Sequence, residues 1–222
     1  MWICNNGTFY PQHQPTLSLL DRGLRWGDGL FETIRIENRT PLCITEHWER
    51  IKNSALHFSI PLLISQEILH DWSIKLIQKN QIQSGVLRWI LTRGAVDSSG
   101  MKFHPDLQSQ WYIEANPMEF TPITWKLSFA KFSRSKTSPI TPHKSVNYLE
   151  NLFALHIAEK SGFDEALFCV EQGVLQEGTK SNLFWVKQKE VFTPAYTTGL
   201  LGGITRQAIV EIAKDEGLRV YE

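Results

Sequence analysis

Segments that favour strands and segments that favour helices come in runs along this chain of 222 residues, and they do not alternate one for one. That order points to α+β lobes and away from a doubly wound parallel sheet, in which each strand would be followed by its crossover helix. Met1 to Tyr10 reads as two short strands around Asn6-Gly7, a dipeptide that tolerates the positive φ angles of a tight hairpin. Leu30 to Ile36 is rich in β-formers, and Asn38-Arg39 turns it into a further strand at Pro41 to Ile44. Trp48, Ile51, Ala55 and Phe58 recur at helical spacing, which predicts a helix from Glu46 to Phe58 with Thr45 as its N-cap. A second helix opens at Ser65 with Ile68, Leu69, Trp72 and Leu76 on its apolar face, and Gly85 separates it from a strand at Val86 to Thr92.

Residues 94–109 lack periodicity, and strands are expected again at Trp111 to Glu114 and Thr124 to Phe129. The stretch 132–143 is polar, carries Pro139 and Pro142, and reads as a loop. The lobe boundary falls between Asn116 and Pro122, giving a small N-terminal α+β domain over 1–119 and a C-terminal domain over 120–222. In the second domain, Tyr148, Phe153, Ala154 and Ile157 form a helical stripe that Gly162 ends. Strands are expected at Ala166 to Val170, Val174 to Gln176 and Leu183 to Val186, and a last helix from Thr205 to Glu216 follows Gly202-Gly203 and stops at Gly217.

Lys plus Arg and Asp plus Glu each number 23, so no long-range field draws the chain to nucleic acid or an anionic membrane. Any anion must therefore be held by a local site. Cys4, Cys43 and Cys169 are odd in number and far apart, which excludes a disulfide framework and a CxxC motif; buried thiols in a reducing compartment are expected. The first ten residues lack a secretory pattern and no apolar run approaches the length of a membrane span, so a cytoplasmic location is the expectation. Neither GxGxxG nor a Walker loop is present.

Three features carry chemistry when taken together. Lys144, in HKSVNYLEN, stands where a polar loop meets an amphipathic helix. A lysine amine, with a pKa of about 10.4, must be desolvated or set beside positive charge before it acts as a nucleophile, and a Schiff base with pyridoxal phosphate meets that need. Glu177, in LQEGTKSNLFWV, ends a strand just before a glycine. A carboxylate there can hold a pyridine nitrogen in its protonated, electron-withdrawing form. Gly202-Gly203-Ile204-Thr205 opens the last helix, where close backbone approach and unpaired amides suit a phosphate. Singly, each has a plainer reading: a solvated lysine, an exposed strand-end carboxylate, a glycine turn capped by threonine.

The segments RGLRWGDGLFETIRI, EHWERI, KSVNYLEN, LQEGTKSNLF and GLLGGITR occur in the order seen in class IV aminotransferases, and the chain resembles that family over nearly its whole length. The resemblance implies a two-lobe fold type IV enzyme with pyridoxal 5′-phosphate as cofactor, a small-molecule amine or amino acid as substrate, and a homodimeric assembly. By that likeness Lys144 is the Schiff-base lysine and acid–base group, and Glu177 pairs with the pyridine nitrogen. Arg50, Ile204 and Thr205 bind the phosphate, and Tyr148 contacts the ring hydroxyl. Members of the family continue beyond the final helix with another strand and helix segment, so the C-terminal lobe is expected to be shortened here.

Within the family, D-amino-acid aminotransferases carry an Arg and a His soon after TRG, and Ala95 to Phe103 contains neither. Branched-chain enzymes usually read FEG where this chain reads Phe31-Glu32-Thr33, whereas 4-amino-4-deoxychorismate lyases commonly have threonine at the third position. Thr33 therefore points to the lyase, in which its hydroxyl would assist proton transfer as pyruvate leaves on the way to 4-aminobenzoate for folate biosynthesis. As a β-branched residue it is equally at home in a strand for packing alone. The alternatives are a branched-chain transaminase and, in another class, a non-catalytic cofactor-binding protein.

Overall fold

Asn6 and Gly7 both take positive φ, 45° and 82°, and so close the hairpin of β1 (Trp2–Asn5) on β2 (Thr8–Pro11). The computed structural model describes residues 1–14, 17–96, 101–103, 107–121 and 124–222. The chain divides into two units, Met1–Thr121 with Lys144–Asn147, and Pro122–His143 with Tyr148–Glu222.

In the first unit the hairpin extends into a six-stranded antiparallel sheet of order β2-β1-β6-β5-β3-β4, formed with β3 (Gly29–Glu37), β4 (Thr40–Pro41), β5 (Gly85–Thr92) and β6 (Gln110–Pro117). Burial alternates along β3, with Leu30, Ile34 and Ile36 buried and Phe31, Thr33 and Arg35 turned the other way, as the two-residue period of a pleated strand requires. A short helix, α1 (Arg22–Trp26), precedes this strand; it is capped by Asp21, whose carboxylate accepts from the Gly23 amide, and ends at left-handed Gly27. Onto the buried face of the sheet pack α2 (Ile44–His57) and α3 (Gln66–Lys79), enclosing Trp48, Ile51, Leu69, Leu76, Trp89 and Trp111. Ser73 sits in this core because its hydroxyl is satisfied on both sides: it donates to the Leu69 carbonyl at 2.7 Å and accepts from Trp89 Nε1 at 2.8 Å.

Four expectations for this unit are corrected. The strand foreseen at Pro41 to Ile44 is only Thr40–Pro41, because Cys43 takes a left-handed φ of 51° and turns the chain at once into α2. The N-cap is thus Cys43 without a side-chain bond; Thr45 lies inside the helix, its hydroxyl accepting from Gln66 Nε2. Ile68 is exposed, and the buried side of α3 is Leu69, Ser73, Leu76 and Ile77. Of the three thiols only Cys4 is fully buried, which pushes it up to about 11; Cys43 is exposed and Cys169 half-buried. Within the aperiodic stretch 94–109, residues 97–100 and 104–106 lie outside the described residues, as does Pro122 at the expected lobe boundary.

In the second unit β7 (Leu127–Phe129) runs parallel to β8 (Glu165–Cys169), which pairs antiparallel with β9 (Leu175–Gly178). The helix α4 (Leu149–Lys160) meets this sheet through Ala154 and Ala158 against Ala166 and Phe168. The expected bulky stripe is corrected here: Phe153 is exposed, stacking on Phe132, and it is the small alanines that let helix and sheet approach. A second sheet of order β10-β11-β12 comprises β10 (Trp185–Lys187), β11 (Glu190–Phe192) and β12 (Arg219–Tyr221). The last helix, α5 (Ile204–Asp215), packs against β12. Among the described residues no helix is long and apolar enough to cross a membrane.

Candidate active site

Lys144 lies on the short segment that returns to the first unit and anneals along the start of β3. Three backbone or side-chain bonds fix it: Phe31 N–H donates to the Lys144 carbonyl at 2.8 Å, Val146 N–H to Gly29 O at 3.0 Å, and Asn147 Nδ2 to Gly27 O at 2.7 Å. Gly27 must be glycine on two counts, its φ of 68° and the Asn147 amide standing where a Cβ would be. The Lys144 ammonium rests 4.4 Å from the Phe31 ring centroid, half-buried. Thr33 follows Phe31 on that side of the strand, and the register sets Arg88 of β5 opposite it. Arg88 is itself paired with Glu114 at 2.9 Å. The sheet thus brings the lysine, the aromatic ring and the hydroxyl to one face.

Glu32 turns the opposite way from Phe31 and Thr33, towards α2, and is 1% exposed. Arg50 grips it with both prongs, Nε to Oε1 at 2.8 Å and a terminal nitrogen to Oε2 at 2.5 Å, while His47 Nδ1 lies 2.7 Å from Oε2. An ionised carboxylate can only accept, so Nδ1 carries the proton in that bond. Burial alone would raise the Glu32 carboxyl, but the hydrogen bonds from His47 and Arg50 and the charge behind them outweigh it and hold the group below the usual glutamate range. The folded chain therefore binds this proton less tightly than the unfolded one. The resulting stabilisation is complete above the usual glutamate range and is lost as pH falls through the lowered folded-state value. Glu32→Gln is expected to cost about 3–5 kcal/mol near neutrality by leaving the Arg50 charge uncompensated. In urea unfolding at decreasing pH, the gap between wild type and variant should narrow in acid; a gap independent of pH would refute this role.

In the second unit, Glu177 is the penultimate residue of β9, with its side chain 7% exposed. One oxygen faces Arg134 at 3.3 Å and the other accepts from the Leu201 amide at 3.1 Å. The following loop is tied down by Glu165, a carboxylate 1% exposed that accepts from Lys180 N–H at 2.8 Å, Ser181 Oγ at 2.9 Å and Thr179 Oγ1 at 3.2 Å. Gly178 lies so close to Glu165 that a Cβ would stand 2.6 Å from its oxygen. At α5 the helix begins one residue earlier than expected, with Gly203 as N-cap and Ile204 and Thr205 in the first turn. Gln207 N–H closes that turn onto Gly203 O at 3.0 Å, so the amides of Ile204, Thr205 and Arg206 have no carbonyl within the helix to bond. A Cβ at Gly203 would displace the Asn182 side chain, whose Oδ1 stands at that position. Tyr148, half-buried, is the residue immediately before α4.

Sequence reasoning singled out Lys144, Thr33 and Arg50 in the first unit and Tyr148, Glu177, Ile204 and Thr205 in the second. It missed the side chains that hold these in place: Glu32 and His47 around Arg50, and Arg134, Glu150 and Asn151 around Glu177. The available signal was position, since four of the five lie inside the quoted segments FET, EHWERI and YLEN. Among the described residues no group of three or more His, Cys, Asp or Glu side chains is placed to hold a metal ion.

The family model for amino-transferase class IV matches residues 29–222. Aminodeoxychorismate lyase of Bacillus subtilis (strain 168) is 28% identical over 218 residues, which is 97% of this chain and 74% of that protein. The crystal structure of a candidate 4-amino-4-deoxychorismate lyase from Legionella pneumophila superposes with a TM-score of 0.89 at 32% identity, covering 95% of this chain and 78% of that one. The branched-chain amino acid aminotransferase of Escherichia coli superposes with a TM-score of 0.93 at 27% identity, covering 100% of this chain and 76% of that one.

Proposed function

Since the chain belongs to the class IV aminotransferases, enzymes that work with pyridoxal 5′-phosphate, we propose that it is a 4-amino-4-deoxychorismate lyase with Lys144 as the residue that carries the cofactor. The observation that carries the finer reading is the face shared by Phe31 and Thr33, with the Lys144 ammonium resting over the ring. A hydroxyl on that face can pass a proton to or from a reacting group, and elimination of pyruvate needs one transfer that transamination lacks, the protonation of the departing enol.

Each unit, taken by itself, carries side chains or amides of the chemistry the cofactor needs, and by the family likeness we assign them to it. The first-turn amides of α5, reached across Gly202 and Gly203, are chemically suited to its phosphate, with the Ile204 and Thr205 amides and the Thr205 hydroxyl as donors. Glu177, buried and held on both oxygens, is suited to the protonated ring nitrogen, and Tyr148 to the ring hydroxyl. Arg50 is the guanidinium assigned to the phosphate, and Glu32 with His47 fixes its orientation. When bound, the ring withdraws electrons from the bonds at the substrate's α-carbon. Lys144 removes the α-proton and returns one at the end of the cycle, Glu177 keeps the ring nitrogen protonated, and Thr33 guides the proton as pyruvate departs and 4-aminobenzoate remains.

A second reading, a branched-chain-type transaminase, is supported by the likeness to the Escherichia coli enzyme. It requires room at position 33 more than a hydroxyl. Purified protein incubated with aminodeoxychorismate is expected to release pyruvate. Conversion of leucine or isoleucine to its keto acid with 2-oxoglutarate, and no pyruvate from aminodeoxychorismate, would hand the assignment to the transaminase. Thr33→Gly should lower pyruvate release by about 10²-fold, the lower end of what one positioned proton-transfer group contributes, and depress any transamination far less. Equal losses in the two assays would leave Thr33 as packing.

A further inference from the structure

Glu150 and Asn151 stand six and seven residues beyond Lys144 in KSVNYLEN, on the first turn of α4, and nothing in the function above uses them. Both bind the buried guanidinium of Arg134. Its Nε donates to Glu150 Oε2 at 2.8 Å and a terminal nitrogen donates to Asn151 Oδ1 at 2.6 Å. The other terminal nitrogen faces Glu177 Oε1 at 3.3 Å, and the ring centroid of Phe168 lies 3.5 Å from the guanidinium carbon. Asn151 is locked in turn, since its amide nitrogen donates to the Thr179 carbonyl at 2.6 Å, which leaves its oxygen for Arg134. The planar fork is thus set from three directions and backed by an aromatic face.

We propose that Glu150 and Asn151 are positioning residues that hold Arg134 back from Glu177 and so set how much of the Glu177 charge is left for the cofactor's ring nitrogen. The distances carry the argument: Arg134 makes its two short bonds to Glu150 and Asn151 and its long one to Glu177. A charge-assisted bond of 3.3 Å is well beyond the length such pairs reach when unconstrained, about 2.7–2.9 Å. An arginine released from Glu150 would close on Glu177, neutralise it further, and weaken its hold on a cation at its other side. Charge near the ring nitrogen is one of the levers by which a protein tunes this cofactor.

This inference rests on the cofactor reading above. The test is ¹⁵N NMR of the protein loaded with pyridoxal phosphate labelled at the ring nitrogen, titrated with pH, together with the dissociation constant for pyridoxal phosphate. Glu150 has a half-exposed side chain, so Glu150→Gln should fold. It is expected to shift the midpoint of ring-nitrogen protonation down by about half a pH unit or more, the sense in which closer opposite charge on the carboxylate acts. Glu150→Asp should restore part of the shift. Bound cofactor with the same midpoint in wild type and Glu150→Gln, whatever the change in thermal stability, overturns the proposal alone. A wild-type protein that takes up no labelled cofactor overturns the reading beneath it as well.

Discussion

Glutamine in place of Glu177 is expected to leave the protein folded and the cofactor bound while lowering turnover by about 10²–10³-fold, the size of effect found when one preorganised electrostatic group is removed from an active site. Glutamine keeps the shape and can still accept from the Leu201 amide, as Glu177 does at 3.1 Å, so folding is preserved. It lacks the charge. A neutral amide stabilises a protonated ring nitrogen poorly, and the ring then withdraws electrons poorly from the substrate. Arg134, buried at 4% exposure, would keep Glu150 as a partner and need not be expelled. The measurement is steady-state turnover alongside the absorbance of bound cofactor; full activity in Glu177→Gln would exclude the electronic role.

The largest effect is expected at Lys144. Lys144→Ala removes both the covalent attachment and the group that moves the α-proton, and the second loss alone is of the order of 10²–10⁴-fold. Structure should survive, because the segment is anchored through the Lys144 carbonyl, Val146 N–H and the Asn147 side chain, none of which the substitution touches. Borohydride treatment of the loaded wild type should fix the pyridoxyl group on the peptide containing Lys144, and the variant should bind cofactor without being labelled. Label on Lys180, whose ammonium lies 4.7 Å from the Trp125 ring centroid, would move the attachment point and sink the assignment.

Much of the first unit could be read before folding because its signals were local. Asn6-Gly7 announced its hairpin, and the apolar residues of α2 kept helical spacing. The second unit hid more. The pair β10 and β11 is joined by Gln188 and Lys189, both left-handed at φ 49° and 65°, and neither residue is one that ordinarily advertises such a turn. Because β12 is three residues long and pairs in parallel with β11 across the whole of α5, no local pattern marks it. The site shows the same division. Lys144, Glu177 and Thr205 were legible as residue types with a chemical reason to stand where they do. Glu32, Arg134 and Glu165 were not, since a buried charge is recognisable only through partners that lie 14 to 43 positions away in the chain.

The return of Lys144–Asn147 to the first unit also orders events during synthesis. When residue 121 has left the ribosome, the sheet and its two helices can form, but the edge at Gly29 and Phe31 still waits for its last four residues. These arrive only after a further 22 residues that belong to the other unit. The stretch that bears the lysine is therefore the closing piece of the first body and the last to be laid down. A nascent chain halted at residue 121 would hold a nearly finished sheet with this margin exposed, open to pairing with a neighbouring chain until the lysine-bearing segment covers it.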